Sequence, residues 1–228
     1  RLRGRDRVAH AASLRLLTRM LVELDQPEMA MRAAKDAREL DSGNPDGEIL
    51  LGTLVARDDP AAARRHYERA LALDPKSAGA LYHMALLEER KDDLAGAVSH
   101  LEAAVVAAPE FAAAWERLAM IQIRRGRVND GVRCLEKVVD LTPERSTAHS
   151  NLGLARMKQG EPAKAMASYE EALRLDADNP SAHFNKGLLH RERDEREEAI
   201  AEFREVLRIR PKDAEARRHL AELGASPR

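Results

Sequence analysis

Pro75, Pro109 and Pro143 stand 34 residues apart, and Pro211 lies two such intervals beyond Pro143. A stack of like units requires this recurrence, because each unit must stop its last helix at the same point. The flanking segments agree: ALALDPKSA, AVVAAPEFA, VVDLTPERS, ALRLDADNP and VLRIRPKDA share one pattern, with Ala177 in the proline place of the fourth. Upstream, ARELDSGNP brings the same ending at Ser42, 33 residues before Pro75. The missing residue falls in the short turn near Arg57 to Pro60, where a deletion disturbs little.

Each period divides into two amphipathic helices. Between 112 and 145 the spacing predicts a first helix from Ala112 to Arg124, a turn at Arg125-Gly126-Arg127, and a second helix from Val128 to Leu141. Gly126 and Gly160 share the place where a helix end needs a left-handed residue. Pro27, Pro60 and Pro162 share the start of the second helix, where a missing N–H does no harm.

Two columns of small residues follow the same period. Thr18, Gly52, Ala85, Ala119, Gly153 and Gly187 form one; Ala30, Ala63, Ala97, Gly131, Ala165 and Ala199 form the other. Helices approach closely only where side chains are short. Larger columns fill the rest: Leu17, Leu51, Met84, Leu118 and Leu152; Met20, Leu54, Leu87, Ile121, Ala155 and Leu189; and, on second helices, Ala34, Tyr67, Leu101, Leu135, Tyr169 and Phe203.

With Trp115, Leu118, Asn151-Leu152-Gly153 and Pro143 in these places, the chain resembles the tetratricopeptide repeat family. The resemblance implies an all-α solenoid, a right-handed superhelix of six 34-residue helix–turn–helix units. Their expected bounds are 11–44, 45–77, 78–111, 112–145, 146–179 and 180–213. A capping helix from Ala214 to Leu223 is expected within 214–228, and a basic solvated tail carrying Arg1, Arg3, Arg5 and Arg7 over 1–10. The sequence departs from the family's late aromatic on the first helix, placing Leu21, Val55, Glu88, Gln122, Arg156 and His190 there. Lys186 stands where leucine is expected, so looser packing is expected in the last unit.

Composition narrows the function. Of 228 residues 34% are charged and 3% aromatic, and 38 basic residues balance 39 acidic ones to a net charge of -1. That balance points to neither nucleic acid nor an anionic membrane as partner. Arginine supplies 30 of the basic residues and lysine 8, a ratio expected of a GC-rich bacterial genome. The lone Cys134 excludes an intrachain disulfide, fits a reducing compartment such as the cytoplasm without fixing one, and is expected to be a buried bystander. No apolar run approaches the ~20 residues of a membrane span, so no direct membrane insertion is expected in this segment. The start at Arg1 suggests a piece of a longer protein. His149, His183 and His190 lack the carboxylate-accompanied spacing of a metal motif, and no phosphate loop or nucleophile–base set is legible, so no cofactor and no enzymatic activity are expected.

The resemblance places first helices on a concave wall, and helical spacing then turns Ile49, Tyr82, Leu86, Met120, Ile123, Leu154, Met157, Phe184 and Leu188 inward. An exposed apolar strip marks a binding surface, and methionine suits an adaptable one. Burying ~500 Å² would contribute on the order of 10 kcal/mol before association costs. The expected ligand is a protein or peptide, as an amphipathic helix or extended apolar segment, and the chain a scaffold or adaptor. The alternative for any single residue is packing against the neighbouring first helix. The lysine–asparagine–arginine set with which some family members grip a C-terminal carboxylate is missing from the inward places. Two further roles stay open: a substrate-recruiting arm of a larger enzyme such as a glycosyltransferase or sulfotransferase, or an assembly factor of a bacterial pilus or secretion machine.

Overall fold

The computed structural model describes residues 4–227. Thirteen α-helices and no strand occur among them. Helices α1 (Gly4–Glu23) and α2 (Pro27–Leu40) form the first pair, α3 (Pro45–Val55) and α4 (Pro60–Leu73) the second, α5 (Ala78–Arg90) and α6 (Leu94–Ala107) the third. Then come α7 (Ala112–Arg124) with α8 (Val128–Leu141), α9 (Ser146–Lys158) with α10 (Pro162–Leu175), α11 (Pro180–Glu192) with α12 (Arg196–Ile209), and a last helix, α13 (Ala214–Glu222). The chain forms two compact units, one ending at Ala114 and one starting at Trp115.

Local chemistry sets the helix bounds. Proline opens α2, α3, α4, α10 and α11 at their first positions. Side-chain oxygens of Asn44, Asp59, Asp93, Asn179 and Asp213 accept from the first free N–H groups of the helices that follow them. Between paired helices, except α3 and α4, the chain turns through one left-handed residue. Gly126 and Gly160 take this role with φ of 79° and 81°. Asp25, Asp92 and Asp194 take it in other pairs, with φ of 53°, 63° and 58°. Aspartate is among the few residues besides glycine that enter this region routinely.

Both small columns are buried throughout: Thr18, Ala85 and Ala119 in the first, and Ala30, Ala63, Ala97, Ala165 and Ala199 in the second, are 0% exposed. The large columns are buried or half-buried from α3 onward but not on α1, where Leu17 and Met20 are exposed. Each of α3, α5, α9 and α11 packs against the second helix of the pair before it, and α1 has no such predecessor among the described residues. The N-terminal tail is also revised. Helix α1 begins at Gly4, so Arg5 and Arg7 are helical, while Arg1 and Arg3 lie outside the described residues. No proline or glycine interrupts the stretch after Gly4, and Asp6 in the first turn suits the helix dipole.

At Glu88, Arg156 and His190, which depart from the aromatic pattern, ion pairs and hydrogen bonds fill the place. In the first unit Glu88 is buried, with its carboxylate 2.7 Å from His100 Nδ1 and 3.8 Å from the Arg64 guanidinium. In the second unit Arg156 donates to Ser168 Oγ at 2.9 Å and to Glu136 at 3.1 Å. His190 pairs with Glu195 at 2.5 Å. Lys186 lies 2.8 Å from Glu202, beside a fully buried Phe203. The expected looseness of the last repeat is therefore not seen. Ala199, Phe203 and Val206 of α12 form one cluster with Ala216 and Leu220 of α13, which closes that end. Cys134 is buried. No helix is long and apolar enough to cross a membrane, among the described residues.

Candidate functional site

Among residues 115–227, Met120 and Leu154 are the exposed large hydrophobics, at 42% and 38%. They sit on neighbouring first helices whose register is pinned by one carboxylate. Glu116 of α7 accepts from Asn151 Nδ2 on α9 at 2.9 Å and from Arg145, just before α9, also at 2.9 Å. Met120 follows Glu116 by one turn and Leu154 follows Asn151 by one turn, so the two side chains share the face beyond that bridge. Ser150 lies one turn before Leu154. It is 3% exposed, and its hydroxyl has no hydrogen-bond partner among the described residues.

The other inward candidates of this unit are partly or wholly core. Ile123 is turned toward α8: a Cβ on Gly131 would stand 2.4 Å from its Cγ1. Met157 packs against the cluster of Ala165, Tyr169 and Leu189. Phe184 and Leu188 pack against the α12–α13 cluster, with the Phe184 and Phe203 rings 5.7 Å apart. Helices α9 and α11 touch, so half-buried Leu188 continues from Leu154 on the next first helix. In the first unit, Ile49 Cδ1 would meet a Cβ on Gly79 at 3.4 Å, the Tyr82 ring rests 5.1 Å from that of Phe111, and Leu86 is half-buried. The exposed strip is thus narrower than spacing alone suggests. Helix pairs of this kind use the same first-helix positions both to face outward and to touch the adjacent helix.

Charged groups border this face. Arg191 bonds Glu222 at 3.0 Å and donates to His219 Nδ1. His183 Nδ1 lies 2.6 Å from Glu202, and its Nε2 lies 2.9 Å from the Ala177 carbonyl, so both ring nitrogens meet acceptors, an arrangement that favours the protonated ring. Burial lowers its pKa, but the Glu202 hydrogen bond, the Ala177 carbonyl and the charges of Glu202 and Glu205 outweigh that, and the pKa is raised. Glu202 mirrors it: burial raises its pKa, the bonds and charges of His183 and Lys186 outweigh that, and the pKa is lowered. No cluster of three or more histidine, cysteine or carboxylate groups able to hold a metal occurs among the described residues. Spacing missed the Glu116 bridge. The signal was available in Glu116 as the one carboxylate at an inward place facing Asn151 on the next unit.

A family model described as the tetratricopeptide repeat matches residues 53–110, 84–143, 116–180, 151–214 and 184–226. No curated protein matches the chain significantly. Among solved structures, that of Pseudomonas aeruginosa pilF is similar with TM-score 0.80 and 19% identity, covering 95% of this chain and 99% of that one. YrrB, described as a TPR protein with an unusual peptide-binding site, matches with TM-score 0.68 and 20% identity over 83% of this chain and 98% of that one. MamA matches with TM-score 0.59 and 22% identity over 70% and 94%. Likeness at these identities shows the fold alone.

Proposed function

Since the chain belongs to the tetratricopeptide repeat family, whose members are generally non-catalytic scaffolds for protein association, we propose that it binds a protein segment on the face that carries Met120 and Leu154. The observation that carries this reading is the pairing of these two exposed side chains on adjacent first helices, in a unit whose other large hydrophobics are buried or half-buried. Half-buried Leu188 extends the strip. An amphipathic helix or extended apolar segment would lay alternate apolar side chains along the strip, between the Glu116 bridge and the Arg191 cluster. The peptide-binding site of YrrB supports a peptide as the class of ligand.

The test is capture of partners from native cells by the wild-type chain and by Leu154→Glu and Met120→Glu, with helicity checked in each. Loss of the same partners in both folded variants is expected. Retention of every wild-type partner by both would end this reading.

A further inference from the structure

Seven large hydrophobics at the N-terminal end of the chain are exposed: Val8, Leu16, Leu17, Met20, Val22, Leu24 and Met29, between 43% and 63%. Leu16, Leu17 and Met20 gather on the side of α1 turned away from its own core, and Leu24 follows just past its end. Its buried side is Ala11, Thr18 and Leu21, facing α2. On the far side Ala9, Ser13, Leu16 and Met20 follow one another at spacings of four, three and four, with Leu17 and Leu24 alongside, and all are exposed. That is the seam of a helix that pairs with another helix. Leu17 and Met20 are also the columns that later first helices bury against a preceding second helix, so α1 offers a prepared seat for one.

We infer that this seat is filled by α1 of a second copy, running antiparallel, to form a weak homodimer. The seam is small in its first half and large in its second. Antiparallel pairing sets Ala9 opposite Met20 and Ser13 opposite Leu16, each pair small against large, on both sides of the two-fold axis. Parallel pairing would set small against small and leave voids. Head-to-tail stacking is disfavoured by the other terminus: α13 closes its cluster, and no large hydrophobic beyond Leu154 is exposed among the described residues. A helix of 20 residues is about 30 Å long, so the pair buries on the order of 800 Å² in total. That falls below a standard stable interface, which fits a weak, reversible dimer. Asp6 and Glu23 end the seam, and antiparallel pairing brings each near the other's copy, a like-charge contact at both ends.

Sedimentation equilibrium of the chain from about 1 to 500 μM tests this. Wild type should move from 25.4 kDa toward twice that mass as concentration rises. Leu16→Glu and Met20→Glu should stay monomeric with unchanged helicity, since both side chains are exposed. Glu23→Lys should tighten the dimer about threefold or more, because two repulsive contacts become attractive; in a parallel pair it would exchange one like-charge contact for another and leave the affinity unchanged. A chain monomeric up to about 500 μM leaves the seat to an upstream segment or a foreign protein and ends the inference. A dimer that survives both glutamate variants, or one that Glu23→Lys does not tighten, overturns it as well.

Discussion

Gly153 lies flat against the ring of Tyr169: a Cβ on Gly153 would stand 2.4 Å from Cε1 and 2.7 Å from Cδ1. Gly52 meets Tyr67 in the same way, at 2.4 Å, and Gly187 meets Phe203 at 3.0 Å. Where the same column holds alanine, at Ala85 and Ala119, the residue 16 places on is the smaller Leu101 or Leu135. Glycine against an aromatic and alanine against leucine thus fill one space in two ways. Gly153→Leu is expected to destabilise by more than about 2 kcal/mol through overpacking. Gly153→Ala combined with Tyr169→Leu should be more stable than the two single effects predict, with a coupling of about 1 kcal/mol or more. Urea unfolding of the four proteins of this cycle measures it. Tyr169 is 0% exposed and its hydroxyl has no partner among the described residues, so Tyr169→Phe should unfold at the same urea concentration or higher.

Asn179 joins three helix ends. Its Oδ1 accepts from Ser181 and Ala182 N–H at the start of α11, and its Nδ2 donates to Ser146 Oγ at 2.7 Å. Ser146 opens α9 and donates in turn to the Ala172 carbonyl near the end of α10 at 2.8 Å. Asn179 is 3% exposed, so water does not replace what is lost. Asn179→Ala is expected to cost about 2 kcal/mol, combining a lost cap with a weakened buried bond. Asn179→Asp keeps the capping oxygen and should cost less. Thermal unfolding that ranks the two in the opposite order would show that a buried carboxylate facing the Ser146 oxygen costs more than the cap contributes.

Much of this was legible in the sequence because the repeat supplies its own control. One column of small residues is a coincidence of composition; two columns kept over six units, from Thr18 to Gly187 and from Ala30 to Ala199, specify which helix faces touch. The helix bounds at Ala112, Arg124, Val128 and Leu141 follow from the turn glycine and the closing proline. Three features were not legible. Periodicity cannot tell that Leu17 and Met20 are exposed among the described residues, since their column is buried or half-buried everywhere else. It cannot tell that Glu88, Arg156 and Lys186 replace apolar residues with paired charges, because their partners lie 12 to 24 residues away on other columns. It also places Met157 and Ile123 on the inner wall without seeing that long side chains there reach back into the core.

The His183–Glu202 clasp between α11 and α12 makes stability depend on pH from both sides. The His183 pKa is raised above its ordinary 6.5 in the folded state, so its contribution is fully present below about 6.5 and is lost as pH rises through the higher folded value. The Glu202 pKa is lowered beneath its ordinary 4.5, so its contribution is present above about 4.5 and is lost as pH falls through the lower folded value. The clasp is therefore strongest between those limits. Glu205 and Lys186 also face it, and Lys186 keeps one bond to Glu202 after His183 loses its charge. Urea midpoints of wild type should fall from pH 5.5 to pH 8.5 more than those of His183→Gln. Equal slopes would mean that the imidazolium contributes nothing to folding.

Leu154 and Met157 share α9 and differ in what lies behind them. Leu154 is 38% exposed, whereas Met157 packs on Tyr169 and Leu189. Glutamate at 154 keeps its charge in water and should shift stability by less than about 0.5 kcal/mol, the usual range for an exposed site. Glutamate at 157 must either carry its charge into the Tyr169 cluster or swing out and leave a cavity there, and a cost above about 2 kcal/mol is expected. This difference decides which variant can report on binding. A partner lost by Leu154→Glu at unchanged thermal midpoint is lost from the surface, while one lost only by Met157→Glu is lost with the fold. Equal destabilisation by the two variants would mean that Leu154 is covered in solution, and the exposed pair it forms with Met120 would no longer be available to a ligand.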